Sequence, residues 1–393
     1  MYALFLIVFS NLLGFGIIIP LLPYYAEHFG ANPNEVTLLM ASYSLMQLIF
    51  SPILGRISDI YGRKKVLLFC LIGSAISYLL LYVATNFFFV LFARSVAGLF
   101  GSTTAIANAY VTETTTSENR SKGMGLVGAA FGLGLVFGPV IGGFFGGSDI
   151  NNIDYQTPFI FAFIVATISC LITFFILIEP KKRNKQFVSA NFINSFKDLL
   201  SLFQISAILF LTTVFFLVTF SFAGFETTFA LWTERSMNWA SKQTGYAFTF
   251  TALLVAIIQG VFIGKLTKTF GELKLLVVSC FLMSIALFLI TLSMQNLFYL
   301  TIALCILGIS VGLGNPSLNS LLSKNLNKNT LGTSFGVFQS VGSLARILSP
   351  LAMGNLFYFY GMNSPYKFGS LLMFFTLFLF IYYFIFLRKS IKT

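Results

Sequence analysis

Three charged side chains stand where water is scarce. Arg94, Glu226 and Arg346 each lie inside a long apolar stretch of the 393-residue chain. A charge at the centre of a bilayer costs about 2.5–3.5 kcal/mol on insertion scales, so an intramembrane charge points to a use. Glu226, within Gly224-Phe225-Glu226-Thr227-Thr228, is the only carboxylate well inside an apolar region. Burial raises a carboxyl pKa and a neighbouring arginine lowers it, so such a group can be tuned to take up and release a proton. It can equally bind a cation. The opposing reading makes it an outer-end glutamate that reaches water, since Glu234 and Arg235 follow shortly after. Arginine keeps its proton in proteins. Arg94 and Arg346 are therefore fixed charges, serving as counter-charges and substrate contacts or held by helix carbonyls within their own half. As a pair they would suit an anionic ligand.

Neutral polar residues in apolar surroundings are cheaper, yet they still mark the inner face of a bundle. Asn11, Gln47, Asn108 and Gln259 are the candidates for lining a substrate cavity; Asn315, Asn319 and Gln339 share the pattern. Hydrogen bonds between membrane helices average about 0.6 kcal/mol, so part of this set serves packing alone. No HExxH, GxSxG or P-loop pattern occurs, which leaves enzymatic activity without support. With a single His and four Cys (Cys70, Cys170, Cys280 and Cys305, all within apolar stretches), no metal site or cofactor is expected.

The elements that must position these groups follow from composition. Hydrophobic residues make up 57% of the chain and charged ones 9%; about 25% charged is usual for a soluble domain. Segments of about 20 apolar residues cross a bilayer as helices. Twelve such spans fall near residues 3–25, 36–54, 66–84, 87–110, 123–145, 158–178, 205–231, 245–263, 275–292, 297–321, 333–357 and 368–387. The expected fold is all-α, with both termini cytoplasmic. That orientation leaves only Arg235, Lys242 and Lys367 in outer loops, while most of the 24 Lys and Arg fall in inner ones. Basic residues confined to short loops between spans also argue against nucleic acid as a partner; the net charge of +12 suits a membrane surface. The first span has no basic leader segment and contains Pro20 and Pro23, unlike a cleaved signal peptide.

The longest polar interval follows the sixth span and divides the chain into a bundle over 1–178, a cytoplasmic linker over 179–204 with room for a surface helix, and a bundle over 205–393. The halves echo each other. Gly55-Arg56-Ile57-Ser58-Asp59-Ile60-Tyr61-Gly62 follows the second span, and Gly264-Lys265-Leu266-Thr267-Lys268-Thr269-Phe270-Gly271 follows the eighth, 209 residues on. Two six-helix pseudo-repeats joined by a linker are the plan of a rocker-switch transporter, which holds its substrate between the repeats near the midplane.

Gly55 to Lys65 closely resembles the signature loop of the major facilitator superfamily, G-x-x-x-D-x-x-G-R-K/R, at the expected place between spans two and three. Gly134, Gly138, Pro139, Gly142 and Gly143 in span five look like the motif associated with antiporters. Asn11-x-x-Gly14-x-Gly16-x-x-x-Pro20-x-x-Pro23 resembles the first helix of the drug:proton antiporter group. Arg94-Ser95-Val96-Ala97-Gly98 is similar to that group's intramembrane arginine motif, and Tyr43 to Gln47 with Pro52 and Gly55 resembles the tetracycline-efflux branch.

The resemblance implies the major facilitator fold and proton-coupled efflux of small amphipathic or drug-like molecules by alternating access. It also implies an inner gate in which Asp59 with Arg63 clamps the cytoplasmic side to span eleven in the outward-open state; Glu113, at the cytoplasmic end of span four, is expected to belong to the same gate. The partners it implies are a lipid bilayer, a small-molecule substrate and protons. The chain is expected to act as a monomer, and its Lys-, Asn- and Phe-heavy composition points to a bacterial inner (plasma) membrane. The sequence departs from the tetracycline branch at two places. Asn11 and Ser77 stand where that branch carries aspartates, and neither can titrate. Lys268 likewise replaces an aspartate in the second signature sequence. Uptake or symport of a small metabolite, an organic anion among them, stays open beside efflux, as does a non-transporting receptor on the same scaffold.

Overall fold

In the computed structural model, which describes residues 2–115, 117–179, 206–325 and 331–386, the described chain is helical almost throughout and contains no strand. The helices of the first part are α1 (Tyr2–Ile18), α2 (Leu22–His28), α3 (Pro33–Tyr61), α4 (Arg63–Tyr82), α5 (Phe87–Leu99), α6 (Thr103–Thr114), α7 (Ser117–Gly146) and α8 (Gln156–Phe175). Those of the second part are α9 (Ser206–Met237), α10 (Ser241–Ile257), α11 (Ile263–Phe270), α12 (Glu272–Leu292), α13 (Leu297–Asn325), α14 (Leu331–Tyr360) and α15 (Ser364–Phe386). A π-helical turn over Ile258–Phe262 joins α10 to α11. Apart from Glu179, the expected linker lies outside the described residues.

Ten helices among the described residues are long and apolar enough to cross a membrane, and α1 with α2 makes eleven if that bent pair is one span. The 30-residue α14 lies where the span 333–357 is expected. This is a multi-pass, all-α membrane architecture.

Several spans depart from straight rods for identifiable reasons. The first bends by 43° between α1 and α2. Pro20 and Pro23 have no N–H to give the helix, and Pro23 sits in the first turn of α2, where none is needed. The fourth breaks between α5 and α6, and Gln47 Nε2 donates to the Gly101 carbonyl at that break (2.7 Å). The second span begins at a capping box, Asn32 with Glu35, and runs unbroken for 29 residues. Its signature sequence is therefore not a loop. Residues 55–61 continue the helix, and the turn into α4 is Gly62 alone, at φ +111°.

The described residues fall into two compact units, Met1–Ser189 with Asn238–Thr249, and Ala190–Met237 with Phe250–Thr393. In the first, Leu4, Ile7 and Val8 of α1 bury against Leu67, Cys70 and Leu71 of α4 and against Ile106 and Val111 of α6. On its other side α1 meets the glycine-rich stretch of α7. A Cβ on Gly138 would stand 2.6 Å from the Gly16 Cα, and one on Gly134 would stand 2.7 Å from the Leu12 Cβ. Only bare backbones approach this closely, as small residues permit between membrane helices. The opposite edge of α7 receives the start of α10. Gly143 lies against the Ser241 carbonyl, and Thr249 Oγ1 donates to the Val136 carbonyl (3.1 Å).

In the second unit α9 packs on α14 through Phe220, Ala345 and Met353, and Ser349 Oγ donates to the Phe220 carbonyl (2.5 Å). Two reciprocal serine pairs tie the remaining helices. Ser279 and Ser310 each donate to the other's carbonyl (2.9 and 2.8 Å), as do Ser284 and Ser370 (2.9 and 2.8 Å). The reciprocal pairs satisfy all four hydroxyls without water. Cys70 and Cys280 are buried and Cys170 and Cys305 half-buried, all as free thiols.

Candidate functional site

The signature sequence builds a compact charge cluster at one end of α3. Asp59, in the last turn of α3, and Arg63, the first residue of α4, stand on either side of the Gly62 turn and form an ion pair. The Arg63 guanidinium reaches on to α6, where Nη2 and Nε donate to Glu113 Oε1 (2.6 and 3.0 Å). Three candidate residues are thus brought together as one network. Gly62 makes the network possible, because its positive φ turns the chain within a single residue.

A fourth member was not foreseen from sequence. The carboxylate of Glu179, at the end of the sixth span, accepts from the backbone N–H groups of Arg63 (2.6 Å) and Lys64 (3.1 Å), the exposed donors at the start of α4. It occupies the space a Cβ on Gly62 would need, 2.7 Å away. The only sequence signal was its position as the first residue of the basic linker. Gly55, in contrast, is mid-helix with open space around it. Of the two signature glycines, Gly62 alone forms a helix end.

Arg94 is 2% exposed. The sequence reading allowed helix carbonyls as its partners; the structure gives it aromatic faces. Its guanidinium lies 4.8 Å from the centre of the Tyr43 ring and 5.9 Å from that of Phe15, and Nη2 contacts Met40 Sδ at 3.8 Å. Tyr78 adds a second phenol within electrostatic range. The Nε has no hydrogen-bond partner, and no carboxylate among the described residues acts on the group. Cation–π contact offsets part of the desolvation cost and leaves the positive charge unneutralised.

Glu226 lies in α9 and is half-buried, two helical turns before Glu234 and Arg235. Among the described residues Arg346 of α14 is its charged neighbour, and no direct ion pair forms between the two. Arg346 is exposed. The only mid-span carboxylate among the described residues thus lies on a helix that packs against the one carrying Arg346.

The four cavity candidates fare differently. Asn11 and Asn108 are half-buried. Gln47 is also half-buried, and its amide is spent on the Gly101 carbonyl. Gln259 sits within the π-helical turn, an irregularity that recurs at functional sites. The antiporter-motif residues Gly134, Gly138, Pro139, Gly142 and Gly143 all lie along α7, at its contacts with α1 and α10. Among the described residues no group of three or more His, Cys, Asp or Glu is placed to hold a metal.

A bundle of apolar helices with sparse internal charges and a charge cluster at a helix joint fits a secondary-transporter type of membrane protein. The chain belongs to the Major Facilitator Superfamily, which it matches over residues 4–350 and again over 255–390. It is 31% identical to the class E tetracycline resistance protein of Escherichia coli, over 89% of this chain and 86% of that one. With multidrug resistance protein 2 of Bacillus subtilis (strain 168) it shares 29% identity over 94% and 92% of the two chains. The crystal structure of the human organic anion transporter MFSD10 (TETRAN) superposes with a TM-score of 0.73 at 24% identity, covering 96% of this chain and 98% of that one. That likeness is one of fold.

Proposed function

We infer that this protein is a proton-coupled exporter of small amphipathic or drug-like molecules, working by alternating access in a bacterial inner membrane. Tetracycline and multidrug resistance proteins are relatives along nearly the whole chain, which favours efflux over uptake. The observation that carries proton coupling is Glu226, a mid-span carboxylate with Arg346 as its electrostatic neighbour. A carboxylate that is neutral in one state of the cycle and charged in the other moves one proton per turnover. Asn11 and Ser77 cannot take this part, so in this chain coupling belongs to the second half.

The full plan has twelve spans in two six-helix pseudo-repeats, 1–178 and 205–393, with the linker 179–204 and both termini in the cytoplasm and the chain a monomer. Asn11, Gln47, Arg94, Asn108, Gln259 and Arg346 line the substrate path. Asp59, Arg63 and Glu113 form the inner gate with Gly55 and Gly62, and the span-five glycines let α7 and its neighbours slide at close range.

The test is proton flux in proteoliposomes with a pH dye inside and lipophilic cations, neutral antibiotics or organic anions added outside. Proton movement opposite to the probe, lost in Glu226→Gln, is the expected outcome. Movement in the same direction as the probe, or with anions alone, would replace efflux by the uptake reading and make Arg94 and Arg346 the binding charges.

A further inference from the structure

The echo between the two signature sequences goes deeper in the structure than in the residues. In the first, α3 ends at Tyr61, Gly62 turns the chain at φ +111° and ψ +146°, and α4 starts at Arg63. In the second, α11 ends at Phe270, Gly271 turns it at φ +79° and ψ +152°, and α12 starts at Glu272. The hydrogen bonds of the turn repeat as well. Gly62 donates to the Ser58 carbonyl (3.1 Å) and Gly271 to that of Thr267 (3.0 Å); Val66 donates to Gly62 and Leu275 to Gly271, both at 3.3 Å. Each pair of equivalent residues is 209 positions apart.

The charges at these equivalent places are opposite in sign. Asp59 corresponds to Lys268 and Arg63 to Glu272, again at a spacing of 209. Glu113, next to the end of α6, corresponds to Lys324, next to the end of α13. Glu272 is 8% exposed and plays the part of Arg63. Its carboxylate accepts from Lys324 Nζ at both oxygens (3.0 and 3.1 Å), and Ser320 Oγ donates to Oε1 (3.0 Å). In both units the first side chain after the glycine turn thus reaches the end of the repeat's fourth span and closes an ion pair there.

We propose that Glu272, Lys324 and Ser320 form a second gate cluster, the sign-reversed counterpart of Arg63 and Glu113, and that Glu272 is a positioning residue of the transport cycle. Its physical role follows from its neighbours. The eighth span is interrupted by the π turn at Ile258–Phe262, and α11 hangs between that turn and the glycine joint. Among the described residues, the ion pair to Lys324 pins the far side of the joint to α13, so any swing of α11 is taken up at Gly271 and the π turn. Lys268, in the place of Asp59, makes no ion pair among the described residues, and Glu272 is paired with Lys324. The sequence of the second signature segment therefore has the opposite charge arrangement to the first, with the same joint, and is not a decayed copy.

The test uses the full chain in lipid nanodiscs and in proteoliposomes, with Glu272→Lys, Lys324→Glu, the double exchange, and the milder Lys324→Gln. Hydrogen exchange in the first turn of α12 is expected to rise at least tenfold in each single variant while α9 is unchanged, and to return to within threefold in the double exchange. Ethidium-driven proton flux is expected to fall at least tenfold in maximal rate with KM within twofold, and to recover in the double exchange. The transport half of the proposal rests on the exporter reading; the exchange half does not. If the unmodified protein moves no protons with ethidium, that reading fails for lipophilic cations and the exchange data decide the cluster alone. Single variants that leave exchange within twofold, or a double exchange that restores neither measurement, would overturn the proposal. So would a loss of rate that only follows a fall in melting temperature.

Discussion

At the scale of single residues, the protein keeps very few charges in its spans and gives each a different surrounding. Glu226 has a cation within electrostatic reach and part of its surface open; Arg94 has neither a carboxylate nor an opening. Replacing Glu226 by Gln removes the only mid-span group among the described residues that can change charge. Downhill exchange of a labelled probe should then continue at no less than a third of the normal rate, while accumulation against a gradient disappears. Arg94→Lys keeps the charge and loses the flat guanidinium that faces Tyr43 and Phe15. Contacts of that kind are worth about 0.5–2 kcal/mol, so a fall in melting temperature of a few degrees is expected by scanning calorimetry in detergent. The identities of these residues were legible in the sequence, because a charge among apolar neighbours stands out by composition. Their partners were not. Phe15, Tyr43 and Tyr78 come from three different spans, and no spacing along the chain relates them to Arg94.

At the scale of elements, periodicity and apolar length located the helices, and chemistry at their ends decided where each stops. The signature sequence was expected as a loop because glycines and charges dominate it. In fact a helix tolerates it as far as Tyr61, since nothing before Gly62 demands a left-handed backbone. Gly62→Ala would meet both a strained φ and the Glu179 carboxylate. A loss of about 1–3 kcal/mol is expected from the backbone strain, with exchange at the Arg63 and Lys64 amides rising as their acceptor is displaced. Substitutions in α7 should be harsher. Gly138→Leu places a whole side chain where the Gly16 backbone lies, and such overpacking typically costs 1–3 kcal/mol and occasionally more. Reduced expression in the membrane and a lowered melting temperature would report it, whereas a substitution at Gly128, which has open space around it, should be silent in both assays.

At the scale of the whole molecule, the repeat of the signature sequence and the long basic interval point to bundles over 1–178 and 205–393, whereas the compact units assign Asn238–Thr249 to the first. The packing of Asn238–Thr249 with α7 was not readable, because it depends on Gly143 and Gly245 meeting bare backbone far along the chain. The two compact units differ in chemistry. The first holds a sealed, unneutralised cation, and the second holds the carboxylate. Adding an inward proton gradient to vesicles with the protein oriented as in the cell should speed the exit of a carried probe. Collapsing the gradient with a protonophore should return it to the passive rate.

The single-residue joint between α3 and α4 has a mechanical consequence. A helix of 29 residues is about 43 Å long at about 1.5 Å per residue, well beyond a hydrocarbon layer of about 30 Å. Such a rod extends past the lipid and carries Asp59 at its tip, and it has no slack where it meets its neighbour. Tilting one rod must therefore drag the start of the next, as a crank drags its rod through a short pin. One glycine inserted after Gly62 would add play to that pin while deleting no contact-making side chain. A protein with this insertion should still fold and bind its ligand, yet turn over slowly because the stroke is absorbed before it is passed on.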